Sequence, residues 1–432
     1  MRATFDYDVL IAGAGPAGAH TALRLARAGW RVGLLDMRRF PRKKACGEFL
    51  SPACVPMLED LGLLEGLLAS GARRVSGMQL YAPRSCAHGH FVTIGPYRPG
   101  AHEGQHGFGL GIRREVLDEQ AVRAAERQSG ITCMLGWRVH YATQDESGRV
   151  SGLSVSNPDG KRLQLTARFV VAADGPRSRV AGSLAWTNKW RGQERFALIA
   201  RFHGVESTTE AHVQVLDGGD YFAACPIDSG IFTANLVVDR EALAGGNRSL
   251  DALFAERLDR APALQAKLAY AELVEPISAC GPLRTMTRRT SGPGVALVGD
   301  ACGFVDPFTG EGMFFAMRGA QLLAEEVHAF LSGKRSERSA LRRYEQARRR
   351  EFGPRYGLAK LLQRGLRRRG VADRVVRTLG RWPRLCDLVL GLTGDYVPPS
   401  GLLSPLVWRS VLGTANRVPV HDAASDPGLV RY

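Results

Sequence analysis

Short apolar runs that alternate with amphipathic segments open the chain. The run Asp8 to Ile11 is typical of a buried strand, and a helical pattern follows through Ala28. A second apolar run, Arg31 to Leu35, ends at an acidic residue, Asp36. This succession of strand, helix and strand predicts a parallel βαβ unit at the N-terminus.

Two later apolar runs also end at a turn that carries an aspartate. The run Phe169 to Ala173 is typical of a buried strand and leaves through Asp174-Gly175. Another strand ends at Gly299-Asp300, after which Pro307 to Gly312 predicts a turn that leads into a helix. Between the two βαβ strands and these runs, Arg114 to Asp118 opens an amphipathic helix.

The middle of the chain alternates apolar and polar positions, as half-buried strands do. Four such segments and the amphipathic helix after them are Arg195 to Val205, His212 to Leu216, Tyr221 to Cys225, Ile231 to Asp239 and Leu250 to Leu268. The short turn between the third and fourth segments predicts a hairpin. We therefore expect an antiparallel sheet that the helix covers.

The first strand runs into a glycine-rich turn with the spacing G-x-G-x-x-G. Its residues are Gly13, Ala14, Gly15, Pro16, Ala17 and Gly18. The first glycine permits the tight turn, the second admits a pyrophosphate, and the third lets the helix pack closely on the strand. The phosphate then lies at the positive end of the helix dipole, and Asp36, about twenty residues later, is placed to bind a ribose. The pattern predicts a dinucleotide site.

Four motifs together resemble the class A flavoproteins, a family of para-hydroxybenzoate-hydroxylase-like monooxygenases, geranylgeranyl reductases and flavin-dependent halogenases. They are GAGPAG with Asp36, R-x-x-L-D at Arg114 to Asp118, the segment Ala173 to Gly175, and the GDACGFVDPFTGEG stretch that begins at Gly299. The resemblance covers roughly the first 330 residues. It implies FAD and an α/β plus α+β fold: a Rossmann-like FAD-binding domain, an antiparallel-sheet substrate domain and a helical C-terminal region.

The resemblance also divides the chain into three parts. The discontinuous FAD-binding domain would comprise residues 1–75, 100–182 and 280–345, and the substrate domain residues 76–99 and 183–279. Residues 346–432 would form a basic helical C-terminal region.

Specific residues are implied for the flavin site. Besides the six residues of the glycine motif, they are Asp36, Arg114, Val139, Asp174, Gly175, Gly299, Asp300, Pro307, Gly310, Gly312 and Met313. Free N–H groups at the start of the helix that follows Gly312 would face the flavin edge where negative charge develops on reduction. Cys46, Gly47 and Glu311 would border the reaction site. An electron donor, NAD(P)H or another reductant, would bind without a second Rossmann motif.

Two segments favour the geranylgeranyl reductase branch of this family. Asp306 to Gly312 reads D-P-x-x-G-E-G before an Ala-Met-Arg helix, and Cys46-Gly47 matches a Cys-Gly pair that these reductases carry over the flavin. The expected reaction is reduction of a C=C bond in an apolar isoprenoid- or polyketide-like substrate. A monooxygenase of an aromatic or polyketide substrate shares every cofactor residue and remains the alternative.

Three further interpretations stay open. Residues 47–52 resemble a halogenase G-E-S-x-x-P segment, although the sequence contains no halogenase W-x-W-x-I motif. A non-catalytic flavin-bound protein that associates with membranes would show the same cofactor motifs. Cys46 itself either lines the pocket as a small apolar residue or acts as a thiolate beside Lys43 and Lys44.

The composition indicates the class of protein and its environment. Hydrophobic residues make up 45% of the chain and charged residues 23%, as is typical of globular proteins. The eight cysteines include no C-x-x-C pair and no His/Cys cluster, so we expect no metal site and a reducing, cytoplasmic environment. The first strand begins close to the N-terminus, which leaves no room for a signal peptide, and no run of 18 apolar residues predicts a membrane span.

The positive charge is concentrated at the C-terminal end. The whole chain has a formal charge of +16, and residues 334–432 contain 21 Lys/Arg against eight Asp/Glu. Arginine triplets at 348–350 and 367–369 interleave with apolar residues at helical spacing, which predicts amphipathic helices with basic faces. Such faces fit peripheral attachment to the inner face of an anionic membrane, and a solvated arginine-rich surface is the alternative. The sequence contains no nucleic-acid motif, so we expect no nucleic-acid partner.

Overall fold

The computed structural model describes residues 5–44, 47–99, 107–188, 194–244, 249–283, 285–304, 310–368 and 370–412. In these residues the strands form two eight-stranded and two three-stranded sheets. The strands are β1 (Tyr7–Ala12), β2 (Val32–Asp36), β3 (Phe49–Leu50), β4 (Arg73–Val75), β5 (Gly77–Ala82), β6 (Ser85–His90), β7 (Gly109–Gly111), β8 (Ile131–Leu135), β9 (Arg138–Gln144), β10 (Val150–Ser156), β11 (Arg162–Ala172), β12 (Thr187–Asn188), β13 (Arg195–His203), β14 (Glu210–Val215), β15 (Tyr221–Pro226), β16 (Phe232–Asp239), β17 (Glu272–Leu273), β18 (Ser278–Cys280), β19 (Thr285–Thr287), β20 (Ser291–Gly292), β21 (Val295–Leu297) and β22 (Gly303–Phe304).

Helices cover the sheets and form the C-terminal part of the described chain. They are α1 (Pro16–Arg27), α2 (Val55–Asp60), α3 (Leu64–Ala69), α4 (Arg114–Arg127), α5 (Arg179–Ser183), α6 (Arg240–Ala244), α7 (Leu250–Leu258), α8 (Pro262–Leu268), α9 (Gly312–Leu331), α10 (Glu337–Leu366), α11 (Val371–Arg381), α12 (Pro383–Thr393) and α13 (Pro405–Leu412). Proline is favourable at the start of α1 because the first N–H of a helix has no partner within it.

The first eight-stranded sheet has the order β20-β21-β11-β1-β2-β8, and β10 and β9 continue from β11. β21, β11, β1, β2 and β8 pair in parallel. Ala12 pairs with Ala172, which in turn pairs with Leu297, so three carboxyl ends meet at one edge. Helices α1, α4 and α9 bury one face of this sheet, and the β9–β10 pair covers the other. The predicted Rossmann-like architecture is confirmed.

The second eight-stranded sheet has the order β17-β13-β16-β15-β14-β5-β6, with β18 added beside β13. Its pairs are antiparallel, as predicted, except for the parallel pair of β14 and β5. Helices α7 and α8 bury one face against residues such as Leu198, Phe222 and Leu236. The opposite face, with Tyr221 and Val237, packs against the C-terminal helices.

Each large sheet collects strands from separate stretches of the chain. The first takes β1 and β2, then β8 to β11, then β20 and β21, whereas the second takes β5 and β6 and later β13 to β18. The chain therefore passes between the sheets several times. The bounds assigned to the domains stay a prediction.

One sequence-based expectation about the second sheet is wrong. The single helix expected over Leu250 to Leu268 is divided into α7 and α8. Ala261 lies between them with φ −123° and ψ 66°, because the following Pro262 disfavours a helical residue before it. Both halves still bury apolar side chains on the sheet, including Phe254 and Leu264.

The C-terminal helices confirm the predicted helical region. Its apolar side chains are divided between the interior and the surface. Leu388, Val397 and Val407 are fully buried in a cluster of their own, whereas Leu403 is 86% exposed and Leu406 is 55% exposed. None of the described helices is long and apolar enough to cross a membrane.

Candidate active site

The glycine motif forms a tight loop between β1 and α1. Gly13 has φ +99°, and a Cβ there would lie 2.4 Å from the carbonyl oxygen of Ala173. A Cβ at Gly18 would lie 1.8 Å from the carbonyl oxygen of Gly13. At Gly15, directly before α1, the nearest atom to such a Cβ would be Arg42 Nη2 at 3.5 Å. Gly13 and Gly18 thus pack tightly against the protein, whereas Gly15 faces open space beside the guanidinium of Arg42, an arrangement that suits a bound phosphate.

Asp36, at the end of β2, is nearly buried and orients this loop. The backbone N–H of Ala14 donates to its Oδ2 at 3.0 Å, and the N–H of Arg38 donates to its Oδ1 at 2.9 Å. Val139 packs in the same apolar cluster as Leu35, the residue before Asp36. The carboxylate keeps acceptor capacity for ribose hydroxyls, since each oxygen has two lone pairs.

Three basic residues, two from the loop after β2 and one from α4, lie on the open side of the glycine loop. Arg114, at the start of α4, is buried and donates from Nε and Nη2 to the two carboxylate oxygens of Asp118, at 2.9 and 2.7 Å. Arg42 Nη2 lies 3.5 Å from Asp118 Oδ2 and 3.8 Å from Asp36 Oδ2. Burial and then the charge of Arg114 lower the pKa of half-buried Lys44. Arg42, Arg114 and Lys44 supply N–H donors that can bind a pyrophosphate.

Asp174 follows β11 at the same edge. Its Oδ2 accepts from the N–H of Arg179 at 2.8 Å and of Val180 at 3.2 Å. Its Oδ1 is buried and has no hydrogen-bond partner among the described residues, and burial raises the pKa of the carboxyl group. Gly175 turns the chain with φ +80° and borders open space. An unpartnered buried oxygen here provides an acceptor for a bound ligand.

Gly299 and Asp300 follow β21 in a short 3-10 turn. Gly299 has φ +63°, and a Cβ there would lie 2.9 Å from the Cβ of Ala17 in α1 and 3.8 Å from that of Ala316 in α9. The turn therefore fits between two helices only because residue 299 has no side chain. Asp300 is half-buried, and its charge partly opposes the lowering of the pKa of Lys44 that burial and Arg114 cause.

Helix α9 begins at Gly312, with Gly310 and Glu311 directly before it. Gly310 has φ +71°, and a Cβ there would contact Phe49 Cδ1 at 3.5 Å. Among the described residues no side chain caps the helix start, and Met313 is buried in the first turn. The first N–H groups of the helix are thus left for a partner outside the helix.

Glu311 belongs to a buried charge cluster that we call the α9 acid pair: Glu311 and Asp395, joined by Arg355. Arg355 Nη1 lies 3.9 Å from Glu311 Oε1 and 3.1 Å from Asp395 Oδ1. Arg355 Nη2 also donates to the carbonyl oxygen of Asp395 at 2.8 Å. Burial, followed by the charge of Glu311, raises the pKa of Asp395 well above its usual range. Two carboxylates beside one guanidinium disfavour a second negative charge, which agrees with the raised pKa of Asp395.

The loop predicted to border the reaction site is described only in part. Cys46 and Pro307 lie outside the described residues. Gly47 borders open space, since no atom lies within 4 Å of the position of a Cβ. Two residues later, Phe49 faces Gly310 and stacks on Phe91, with ring centroids 6.5 Å apart.

An apolar surface lies on the substrate-sheet side of Phe49. Phe49, Leu80, Ala197, Ala223 and Leu283 are partly buried on the cluster that also contains Phe91 and Tyr221. Asn235 lies on the same sheet face, opposite Ala223, and its Oδ1 is buried without a partner among the described residues. This apolar surface offers hydrocarbon contacts and one polar acceptor.

Sequence reasoning missed a second buried cluster, centred on Arg201 of β13. Arg201 binds both carboxylate oxygens of Glu48, and its Nη1 lies 3.1 Å from Glu115 and 2.9 Å from Glu275. Glu48 is buried with φ +58°, and burial raises its pKa. The cluster ties the loop of Gly47 and the start of α4 to the second sheet. The only feature of the sequence that could have indicated this cluster is the presence of an arginine, Arg201, in an otherwise apolar strand.

The arrangement fits FAD. Gly13 and Gly18 leave no room for a Cβ, the open side of the loop at Gly15 faces Arg42, and Asp174 Oδ1 has no partner among the described residues. Asp36 is placed for a ribose and Asp300 for a hydroxyl of the flavin chain. The start of α9 would hold the pyrimidine end of the ring. The contacts of individual residues with the cofactor stay predictions.

Comparisons with known proteins agree with this reading of the site. A family model described as "FAD binding domain" matches residues 6–353. A menaquinone reductase of Mycolicibacterium smegmatis is 30% identical over 339 residues, which are 74% of this chain and 75% of the relative. A geranylgeranyl diphosphate reductase of Rhodobacter capsulatus is 27% identical over 331 residues, 76% of this chain and 77% of the relative. The structure of a myxobacterial chondrochloren halogenase matches with a TM-score of 0.76 at 23% identity, covering 96% of this chain and 98% of the halogenase, which shows the shared fold.

Proposed function

Since the chain belongs to the FAD binding domain family and is an FAD-dependent oxidoreductase, we propose that it reduces a C=C bond in an apolar, isoprenoid-like substrate. The resemblance to this family and the FAD cofactor are confirmed. Two reductases among the relatives support the direction of the reaction. The substrate and the electron donor belong to the proposal, and we take NAD(P)H as the donor.

The observation that carries this proposal is the apolar surface beside the start of α9. Phe49 lies against Gly310 and packs on the same apolar cluster as Leu80, Ala223 and Leu283. An isoprenoid chain binds by removing methyl and methylene groups from water, which requires such a surface rather than a set of charged groups. The acceptor of Asn235 would orient one polar end of the substrate.

The protein contributes charge stabilisation and a proton. The bound flavin supplies the hydride-transfer chemistry. The N–H groups and dipole of α9 stabilise negative charge that develops beside them. Reduction of a C=C bond takes up one hydride and one proton, and burial raises the pKa of Asp395 in the α9 acid pair at this helix start, which favours a protonated carboxyl group there. We therefore assign proton supply to Glu311 and Asp395, with Arg355 holding the pair in place.

An anaerobic turnover experiment tests the function. The purified protein is reduced under argon and mixed with a geranylgeranyl lipid, and the products are analysed by mass spectrometry. A product that gains two hydrogen atoms in the absence of O₂ is the expected result. Product that forms only after air is admitted and carries its oxygen would establish a monooxygenase instead. A chloride requirement would establish a halogenase.

Two matched variants test whether the apolar surface binds the substrate. Phe49→Ser removes an apolar contact, so KM should rise roughly tenfold while FAD occupancy stays constant. Tyr270→Ser is the control, because Tyr270 is 95% exposed. Equal KM values for the wild-type protein and both variants would place the substrate elsewhere.

We also propose that the protein attaches peripherally to an anionic membrane, which would bring it to a lipid-borne substrate. Helix α11 exposes Arg374, Arg377 and Arg381 together with Val375 and, just after the helix, Trp382. Cations beside exposed apolar and aromatic side chains complement an anionic lipid surface. Leu403 and Leu406 add apolar side chains before and within α13.

A further inference from the structure

Two histidines and a glutamate meet on the face of the second sheet that points away from α12. His88 and His90 alternate with Gly89 along β6, the edge strand. A Cβ at Gly89 would lie 2.9 Å from Cys386 of α12. Because side chains alternate across a strand, both histidines point to the other face, where Glu210 of β14 also lies.

A glycine on the intervening strand allows the three side chains to meet. Gly77 of β5 pairs with His90 on one side and with Glu210 on the other. A Cβ at Gly77 would lie 3.0 Å from His90 Nδ1, so the imidazole occupies the space that a side chain there would take. The nearest ligand atoms of the three residues consequently lie within 4.8 Å of one another.

A chain of hydrogen bonds orients the carboxylate. Tyr81 Oη donates to Gln79 Oε1 at 3.2 Å, and Gln79 Nε2 donates to Glu210 Oε2 at 2.7 Å. This leaves Glu210 Oε1 for the histidines, and it is hydrogen-bonded to His88 Nε2. Metal sites commonly have such an outer set of hydrogen bonds, which fixes the orientation of the ligands.

We propose that His88, His90 and Glu210 bind a divalent transition-metal ion, with Zn²⁺ as the probe of choice and water as the fourth ligand. Two imidazole nitrogens and one carboxylate oxygen are ligands that zinc takes in proteins. Ligand atoms about 2.1 Å from a tetrahedral ion lie about 3.4 Å apart. The three side chains therefore need to move their ligand atoms by only about 1 Å to bind the ion. The half-exposed His88 leaves a path for the ion.

This proposal departs from the expectation of no metal, which rested on the spacing of cysteines and histidines along the chain. Glu210 is 122 positions from His88, so only the folded sheet brings them together. A bound ion would join the edge strand β6 to β14 across β5. The site is independent of the flavin, and its failure would leave the proposed reductase function untouched.

Zinc titration of the holoprotein tests the proposal. Untagged protein is freed of metal with a chelator and titrated with ZnCl₂ by calorimetry, and with CoCl₂ to record the absorption of the coordinated ion. One equivalent of Zn²⁺ should bind. His88→Gln and Glu210→Gln should each weaken the affinity at least about tenfold, because each removes one ligand. FAD absorbance and circular dichroism should stay unchanged, which separates ligand loss from misfolding.

His203→Gln is the matched control, because His203 is exposed on β13 of the same sheet and does not belong to the three-residue cluster. Its zinc affinity should equal that of the wild-type protein. The proposal is overturned if the wild-type protein takes up no equivalent of zinc. It is equally overturned if His88→Gln and Glu210→Gln bind as the wild-type protein does, or if His203→Gln loses as much affinity as they do.

Discussion

At residue 18, α1 approaches the glycine loop so closely that a Cβ would lie 1.8 Å from the carbonyl oxygen of Gly13. Gly18→Ala must therefore displace either the loop or the helix. We expect FAD occupancy of the purified variant to fall at least tenfold, a loss of about 1.4 kcal/mol or more in binding free energy. The ratio of flavin to protein absorbance measures this.

Gly182→Ala is the control for that prediction, since no atom lies within 4 Å of a Cβ at Gly182 in α5. It should bind FAD like the wild-type protein. Full flavin occupancy in Gly18→Ala would contradict the close approach of loop and helix that the structure shows.

The residues that sequence alone could locate are those whose roles depend on their immediate neighbours. Gly13, Gly18 and Asp36 each follow a strand by a fixed spacing, so the local pattern predicts their positions. Arg201 and Arg355 were beyond such reasoning, because their partners lie elsewhere in the chain: Glu48 for the first and Asp395 for the second. A charged residue in an apolar segment signals burial but does not identify its partner.

At the scale of elements, the α9 acid pair joins the start of α9 to α10 and to the turn after α12. Burial raises the pKa of Asp395, so above the ordinary aspartate range the folded state binds protons more tightly than the unfolded state does. The unfolding free energy therefore falls as pH rises from the ordinary aspartate range toward the raised pKa. The buried negative charge of the Asp395 carboxylate lowers the unfolding free energy, and replacing it with the neutral side chain of asparagine should remove this loss.

Asp395→Asn should accordingly stabilise the protein more at pH 8 than at pH 5, by a difference on the order of 1 kcal/mol. Asparagine tolerates the φ of +68° at this position and can still accept from Arg355. Urea unfolding followed by circular dichroism at the two pH values measures the difference. Asp217→Asn, at an exposed position, should show none. An equal or larger gain at pH 5 would show that Asp395 is not the proton-linked group.

The elements themselves were predictable to different degrees. Apolar runs located β1, β2 and β11 because central parallel strands are buried on both faces. The pairing of β14 with β5 was not predictable, because β5 lies more than a hundred residues earlier in the chain and no local pattern specifies its neighbour. The break between α7 and α8 was marked by Pro262, yet the continuous apolar spacing predicted one helix.

At the scale of the molecule, exposed cations and apolar side chains of the C-terminal helices form the proposed membrane-binding surface. Arg374→Gln, Arg377→Gln and Arg381→Gln combined should weaken binding to anionic vesicles by roughly two orders of magnitude at low salt, since each basic residue contributes about 1 kcal/mol. Co-sedimentation with anionic and with neutral vesicles measures this. Point variants are preferable to truncation, because α10 also carries the buried side chains of Tyr344 and Phe352.

Leu403→Ser combined with Leu406→Ser tests the apolar part of the same surface. Binding should weaken here as well. Unlike the arginine variant, however, this variant should bind with the salt dependence of the wild-type protein, because its arginines remain. Tyr270→Ser, on the second sheet, is the control and should bind vesicles like the wild-type protein. Vesicle binding that is absent in the wild-type protein, or that all variants share, would dispose of membrane attachment.

The late position of β21 in the chain has a consequence for how the protein is made. At a translation rate of about 5–20 residues per second, β21 leaves the ribosome roughly 15–60 s after β1. Until then the growing chain has a phosphate loop but no turn at Gly299 to enclose a nucleotide, and the second sheet has already been synthesised. We therefore expect cofactor capture to be among the last steps of biogenesis, and a chain that ends before residue 295 should contain no flavin.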